Sequence, residues 1–153
     1  MIKTQAYWLC TLSLTLLSGL CQAEEATAGM IKKSRGQVTI ERSGQALPAV
    51  VGTVLLATDK LRTGPDGWVG LTLRDNTLMS AGPNTLMSID KFSYDTTTNE
   101  GAMSVAVRKG TLSVATGKID KKTPESIDFH TPTTVLGVRG TEFLVSVEGQ
   151  GDE

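Results

Sequence analysis

The side chains that do most enzymatic and metal chemistry are scarce in this 153-residue chain, which has one histidine, two cysteines, two Trp, two Tyr and three Phe. Both cysteines, Cys10 and Cys21, fall in a segment that reads as a secretory signal peptide. Lys3 supplies the positive n-region, residues 6–20 are largely apolar with Ser and Thr interspersed, and Cys21-Gln22-Ala23 ends in the small residue that suits cleavage after Ala23. An uncleaved anchor is disfavoured because the apolar stretch is shorter than the roughly 20 residues of a spanning helix. Lipoprotein processing at Cys21 is disfavoured because it would place bulky Leu20 where a small residue is preferred.

Cleavage after Ala23 leaves a chain with no thiol, no disulfide and no membrane span, so packing alone must hold the fold. His130 then has no cysteine to act with, and a lone histidine in strand-like sequence reads as structural or surface. No His/Cys/carboxylate set has metal-ligand spacing, so neither a metal nor a cofactor is expected. The glycine-rich Gly64-Pro65-Asp66-Gly67 leads into a strand, not a helix N-terminus, and makes no phosphate cradle. Without Lys3 the 15 basic side chains fall to 14 against 16 acidic ones, with no basic block, which argues against nucleic acid as a partner.

What the sequence does have is short apolar alternation between Gly, Pro, Asn and Asp: Val38/Ile40, then Leu61, Val69/Leu71/Leu73, Val105/Val107, Leu112/Val114, Ile127/Phe129 and Phe143/Val145/Val147. Each burst predicts a half-buried strand, and no helix is expected among them. Thr77-Leu78-Met79-Ser80 recurs as Thr85-Leu86-Met87-Ser88, which fits either hairpin partners in a β-sandwich or rungs of a β-solenoid. The expected organisation is a signal peptide at 1–23, a flexible lead-in at 24–35, one all-β domain at 36–147 and a polar tail at 148–153. Residues 93–101 and 117–125 read as solvated loops.

Asp59, Asp66, Asp75, Asp90 and Glu142 are the carboxylates a paired acid/base site would draw on, but Asp59, Asp66 and Asp75 stand among turn-formers, where capping is the commoner use. No catalytic residue is therefore assigned. Arg139, between Gly137 and Gly140, reads either as a buried clamp on corner carbonyls or on Glu142, or as a contact for a partner carboxylate; the clamp is favoured. Trp68 reads as a core residue, with a sugar-stacking surface as the alternative.

The residues Thr131-Pro132 followed by Gly137-Val138-Arg139-Gly140-Thr141-Glu142-Phe143 resemble the closing hallmark of the FecR-type periplasmic domain. Asp59-Lys60-Leu61-Arg62-Thr63-Gly64, Asp66-Gly67 and the alternation ending at Asp75 resemble an earlier hallmark, and Gly36-Gln37-Val38 with Gly52 fit its opening. The sequence departs from the pattern at Thr58, where the family often has glycine, and at Trp68, where it often has a small residue. The resemblance implies an all-β, solenoid- or roll-like module in the periplasm of a Gram-negative bacterium, with a β-sandwich as the alternative. It further implies a non-catalytic module that engages an envelope protein in signalling or assembly; peptidoglycan or polysaccharide binding is the second reading. Arg139, Glu142 and Trp68 are the candidate contact residues. Thr131, Pro132, Gly137, Gly140, Phe143, Asp59, Gly64 and Asp75 are structural members of the motifs. No cytosolic segment of the kind that acts on a sigma factor is expected, so that action does not carry over.

Overall fold

In the computed structural model, which describes residues 27–140 and 142–149, the alternating bursts become twelve strands in one curled sheet. They are β1 (Thr27–Arg35), β2 (Val38–Arg42), β3 (Gln45–Pro48), β4 (Val54–Leu56), β5 (Lys60–Thr63), β6 (Trp68–Leu73), β7 (Leu78–Ala81), β8 (Leu86–Tyr94), β9 (Gly101–Ala115), β10 (Ile127–His130), β11 (Val135–Gly137) and β12 (Glu142–Val147). Neighbours run in the order β3-β2-β5-β8-β9-β7-β6-β1-β4. On the far side of β9, β10 lies along its first half and β12 along its second, and β11 pairs with β10.

The long strand β9 makes this arrangement possible. Its inward residues are Met103, Val105 and Val107, then Leu112 and Val114, so the parity of the buried face changes between Val107 and Leu112. The change is taken up by a bulge: Leu86 pairs with Lys109 and Met87 with Val107, leaving Arg108 unopposed, and Gly110 follows at φ 90°. The strand bends there, its first half joining β2, β3, β5, β8, β10 and β11, and its second half joining β1, β4, β6, β7 and β12. Both halves turn their apolar faces onto one core that includes Ile31, Ile40, Leu55, Leu71, Met79, Met87, Leu112 and Phe129.

The all-β expectation holds, but the pairing does not build solenoid rungs. Rungs would stack in parallel, whereas among the described residues only β10 beside β9 is parallel and the other pairings are antiparallel. The repeated Thr-Leu-Met-Ser segments are also neither hairpin partners nor rungs. They lie one after the other along β9, Met79 opposite Val114 and Met87 opposite Val107, one on each side of the bulge.

Two expectations about unpatterned segments are corrected. The expected lead-in is β1 from Thr27 onward, with Ala28 and Ile31 buried and pairing to both β6 and β4. A register shift between Ile31 and Lys33 breaks the period of two, which hid the strand. The expected loop at 117–125 contains a short helix, α1 (Lys118–Lys122), and a 3-10 turn (Pro124–Ser126). The connection has a topological reason, because a parallel neighbour cannot follow through a tight hairpin and needs a crossover. Ile119, fully buried, pins the crossover to the core, and the Thr123 hydroxyl donates to the Gly101 carbonyl at 2.9 Å. The expected signal peptide, the start of the lead-in, Thr141 and the end of the polar tail lie outside the described residues.

Candidate binding edge and cleft

Asp59 and Asp75 of the first motif cap turns, in keeping with their local sequence, whereas Asp66 accepts the Gln37 N–H at 3.3 Å from 29 residues away. Asp59 is 2 % exposed; its Oδ2 accepts the Leu56 N–H at 2.8 Å, and both oxygens accept the Arg42 guanidinium at 2.8 and 2.7 Å. Arg42 also donates to the Val54 carbonyl, so one ion pair ties β2 to the β4–β5 corner. Asp75, fully buried, accepts the N–H and the hydroxyl of Thr77 at 3.0 and 2.7 Å, and Thr77 Oγ1 in turn accepts the Gly117 N–H. Gly64 sits where a Cβ would meet the Gln37 side chain at 3.1 Å. Removing Asp59 takes the bidentate acceptor from the largely covered Arg42 guanidinium and the acceptor from the Leu56 N–H, which is costly. Asp59→Ala is expected to destabilise the fold by about 2–4 kcal/mol, discounted because Arg42 keeps 28 % of its side-chain exposure. Urea denaturation checks this, and a loss within about 0.5 kcal/mol would place the pair outside the fold's support.

The two departures from the family pattern have local explanations. Thr58 stands at φ 81°, a left-handed conformation that glycine adopts without strain, so a glycine-favouring corner is present although this chain fills it with threonine. Trp68 is half-buried but not in the core, because Val69 and Leu71 take the inward face of β6. Its indole lies on the outer face across Gly70, where a Cβ would stand 3.3 Å from it. The tryptophan covers the surface that the glycine leaves bare.

The closing motif sits at the surface. Thr131 and Thr134 close the β10–β11 turn through the Thr131 N–H to the Thr134 carbonyl at 2.8 Å and the Thr134 N–H to the Thr131 hydroxyl at 3.1 Å; exposed Pro132 lies between them. Gly137 ends β11, and Gly140, at φ 147°, has its carbonyl held by the Thr116 hydroxyl at 2.7 Å. A Cβ at either glycine would meet nothing within 4 Å. The favoured buried clamp at Arg139 is not what forms. Val138 turns inward against the core, and the alternation sends Arg139 out to solvent with no ion pair to exposed Glu142. Phe143 does reach the interior edge, meeting Phe129 edge-to-face at 4.9 Å between centroids.

Two surface features result. The first is an open edge: among the described residues β11 pairs only with β10 and β12 only with β9, and Val135, Leu136 and Leu144 stand exposed along them. The second is a cleft of ≈ 800 Å³ above the β9 bulge, lined by Arg62, Leu86, Arg108 and Lys109, with the Thr131-Pro132 turn on its wall. Sequence reading passed over these cations; the doublet Arg108-Lys109 interrupting an alternating strand was the available signal. His130 is half-buried on the face opposite Phe129. In the hydroxyl-rich loop after β8 the Asp95 carboxyl accepts the Thr97 and Thr98 N–H groups at 2.7 and 3.1 Å, which holds it below the usual aspartate range. No group of three or more metal-ligating side chains occurs, and no helix is long and apolar enough to cross a membrane, among the described residues.

Neither the curated proteins nor the solved structures contain a match to this chain. The family model described as FecR protein matches residues 59–153, beginning at the Arg42-bound carboxylate and taking in the bulge, the crossover and the open edge. With more than half of its length matched, the chain belongs to the FecR family, which is linked to cell-surface signalling.

Proposed function

We propose that this chain is a non-catalytic module, exported to the periplasm, that binds an envelope protein by taking an extended segment of it along the β11–β12 edge. The observation that carries this reading is that Gly137, Arg139 and Gly140 of the closing motif are not demanded by side-chain packing, whereas Val138 and Phe143 face the core. Gly137 and Gly140 have empty space around them, and Arg139 is exposed. Beside them lie an unpaired strand edge and the exposed apolar side chains of Val135, Leu136 and Leu144. Strand addition uses those elements: backbone N–H and C=O groups supply affinity, and flanking side chains supply choice of partner. Arg139 supplies a forked cation for a partner carboxylate. Of the edge strands at the two ends of the main strand order, β3 ends in Pro48 and β4 has only three residues, which makes both less suited.

A photo-crosslinking residue at Val135, compared with one at Gln45 on β3, tests this in intact envelopes. The expected result is a discrete protein adduct from Val135 only, lost on Leu136→Asp or Arg139→Ala while the thermal midpoint is kept. Identical adduct patterns from both positions, or none, would overturn it. A polysaccharide reading draws on Trp68, which shares a shallow cleft with Arg35 and Asp66. Co-sedimentation with purified sacculi that is lost on Trp68→Ala would favour that reading instead.

A further inference from the structure

Strands β10 and β12 run toward each other along the same edge of β9. Strand β10 pairs with residues 103–106 and β12 with residues 110–115, so their ends meet over the bulge. The turn after β10 forms one wall of the ≈ 800 Å³ cleft, and the end of β12 with Glu148 forms another. Across its floor runs a row of paired positions: Arg62 opposite Leu86, and Leu86 opposite Lys109. With strands about 4.8 Å apart, the Arg62 and Lys109 backbones stand about 10 Å from each other, on one face. Arg108, extruded by the bulge, joins them.

This placement is unfavourable for an empty surface. Like charges on adjoining positions of one sheet face repel, and proteins commonly place a carboxylate among them. Among the described residues no ion pair within 4 Å involves Arg62, Arg108 or Lys109, and Glu148 is the sole carboxylate of the lining. In contrast, Lys60, two residues before Arg62, is paired across the strand with Glu41. We propose that the cleft is an oxyanion site for a ligand bearing two or more carboxylate or phosphate groups, gripped by the Arg62 and Arg108 guanidinium forks with Lys109 as a further charge. Cations on either side of an apolar residue, Arg62 and Lys109 flanking Leu86 with Arg108 beside them, suit a ligand whose anionic groups are separated by a short spacer. The anion site does not rest on the strand-edge reading, although the two share the 131–133 turn and the end of β12.

Titration of the isotope-labelled protein with inorganic pyrophosphate and, separately, with succinate tests this by NMR. Saturable shifts are expected at Arg62, Arg108, Lys109 and the 131–134 turn, with half-saturation below about 1 mM for at least one probe. Affinity should fall as salt is added, because the cations are exposed. The double change Arg62→Ala with Arg108→Ala should weaken binding at least about tenfold. Lys33→Ala, a cation on the other half of the sheet, should leave it unchanged. All three side chains are exposed, and Arg108→Gln alone, expected to weaken binding severalfold, provides a second variant if the double change alters folding. Tighter pyrophosphate binding would assign a phosphoryl ligand, and tighter succinate binding a carboxylate one. Absence of saturation by about 10 mM of either probe, or equal weakening by Lys33→Ala, would overturn the proposal, the latter because it indicates diffuse charge attraction.

Discussion

Phe129→Ala is expected to remove about 3–5 kcal/mol of stability, the usual cost of emptying a fully buried aromatic position. Phe129 is 0 % exposed, and its ring meets Phe143 at an interplanar angle of 79°. The pair has a structural consequence beyond its area. Phe129 belongs to β10 and Phe143 to β12, the strands that cover the two halves of β9 on its far side. The contact therefore joins the two halves of the curled sheet where no backbone pairing does so. Because small domains have only about 5–15 kcal/mol in total, the variant should melt some 10–20 °C lower, and a smaller share of it will fold at physiological temperature. Phe143→Ala should cost less, since Phe143 is half-buried. Equal losses from the two would show that edge-to-face contact, and not cavity formation at Phe129, dominates.

Gly110→Ala is the second large effect, expected at about 3 kcal/mol or more. The residue sits at φ 90°, where a side chain costs about 1–3 kcal/mol in backbone strain alone. A Cβ would also stand 2.5 Å from the Thr85 Cα and 2.8 Å from the Asn84 carbonyl oxygen, and backbone atoms yield poorly. Thr85 is part of a tight corner, donating from its N–H to the Thr63 hydroxyl at 2.8 Å, while Thr63 donates to the Gly82 carbonyl at 2.6 Å. Displacing Thr85 disturbs the point where the sheet changes direction and the cleft opens. Gly140→Ala is the matched control: its φ is also positive, but the space around it is empty, so strain alone applies, at about 1–2 kcal/mol. Chemical denaturation of both variants distinguishes the cases. Similar midpoints for the two would mean that the bulge relaxes and that Gly110 is not the hinge of the sheet.

Much of the strand content was legible because burial on one face leaves a period of two in the residues. Val69, Leu71 and Leu73 are inward, as their alternation says, and so are Ile127, Phe129 and Val145. Short motifs that act locally were also readable: Asp75 caps the turn that it adjoins, through Thr77 two residues on. Reading failed where a bulge shifted the period, as in β1, and where two successive bursts were one strand, as in β9. It failed at Arg139 because two glycines announce backbone freedom without saying which neighbour turns inward. Only the packing of Val138 settles that.

By itself, then, the sequence determined the class of the fold, the family, the turn-capping use of Asp59 and Asp75 and the inward residues of most strands, since each is read from residues within a short stretch. Tertiary structure alone decided which strands pair, that the Thr-Leu-Met-Ser repeat lies end to end along β9, and that Arg42 answers Asp59 from 17 residues away. It alone gathered Arg62 with Arg108 and Lys109 above one cleft. These juxtapositions follow from how a bent strand brings distant segments together, and nothing in the local spacing of the residues encodes the bend's direction.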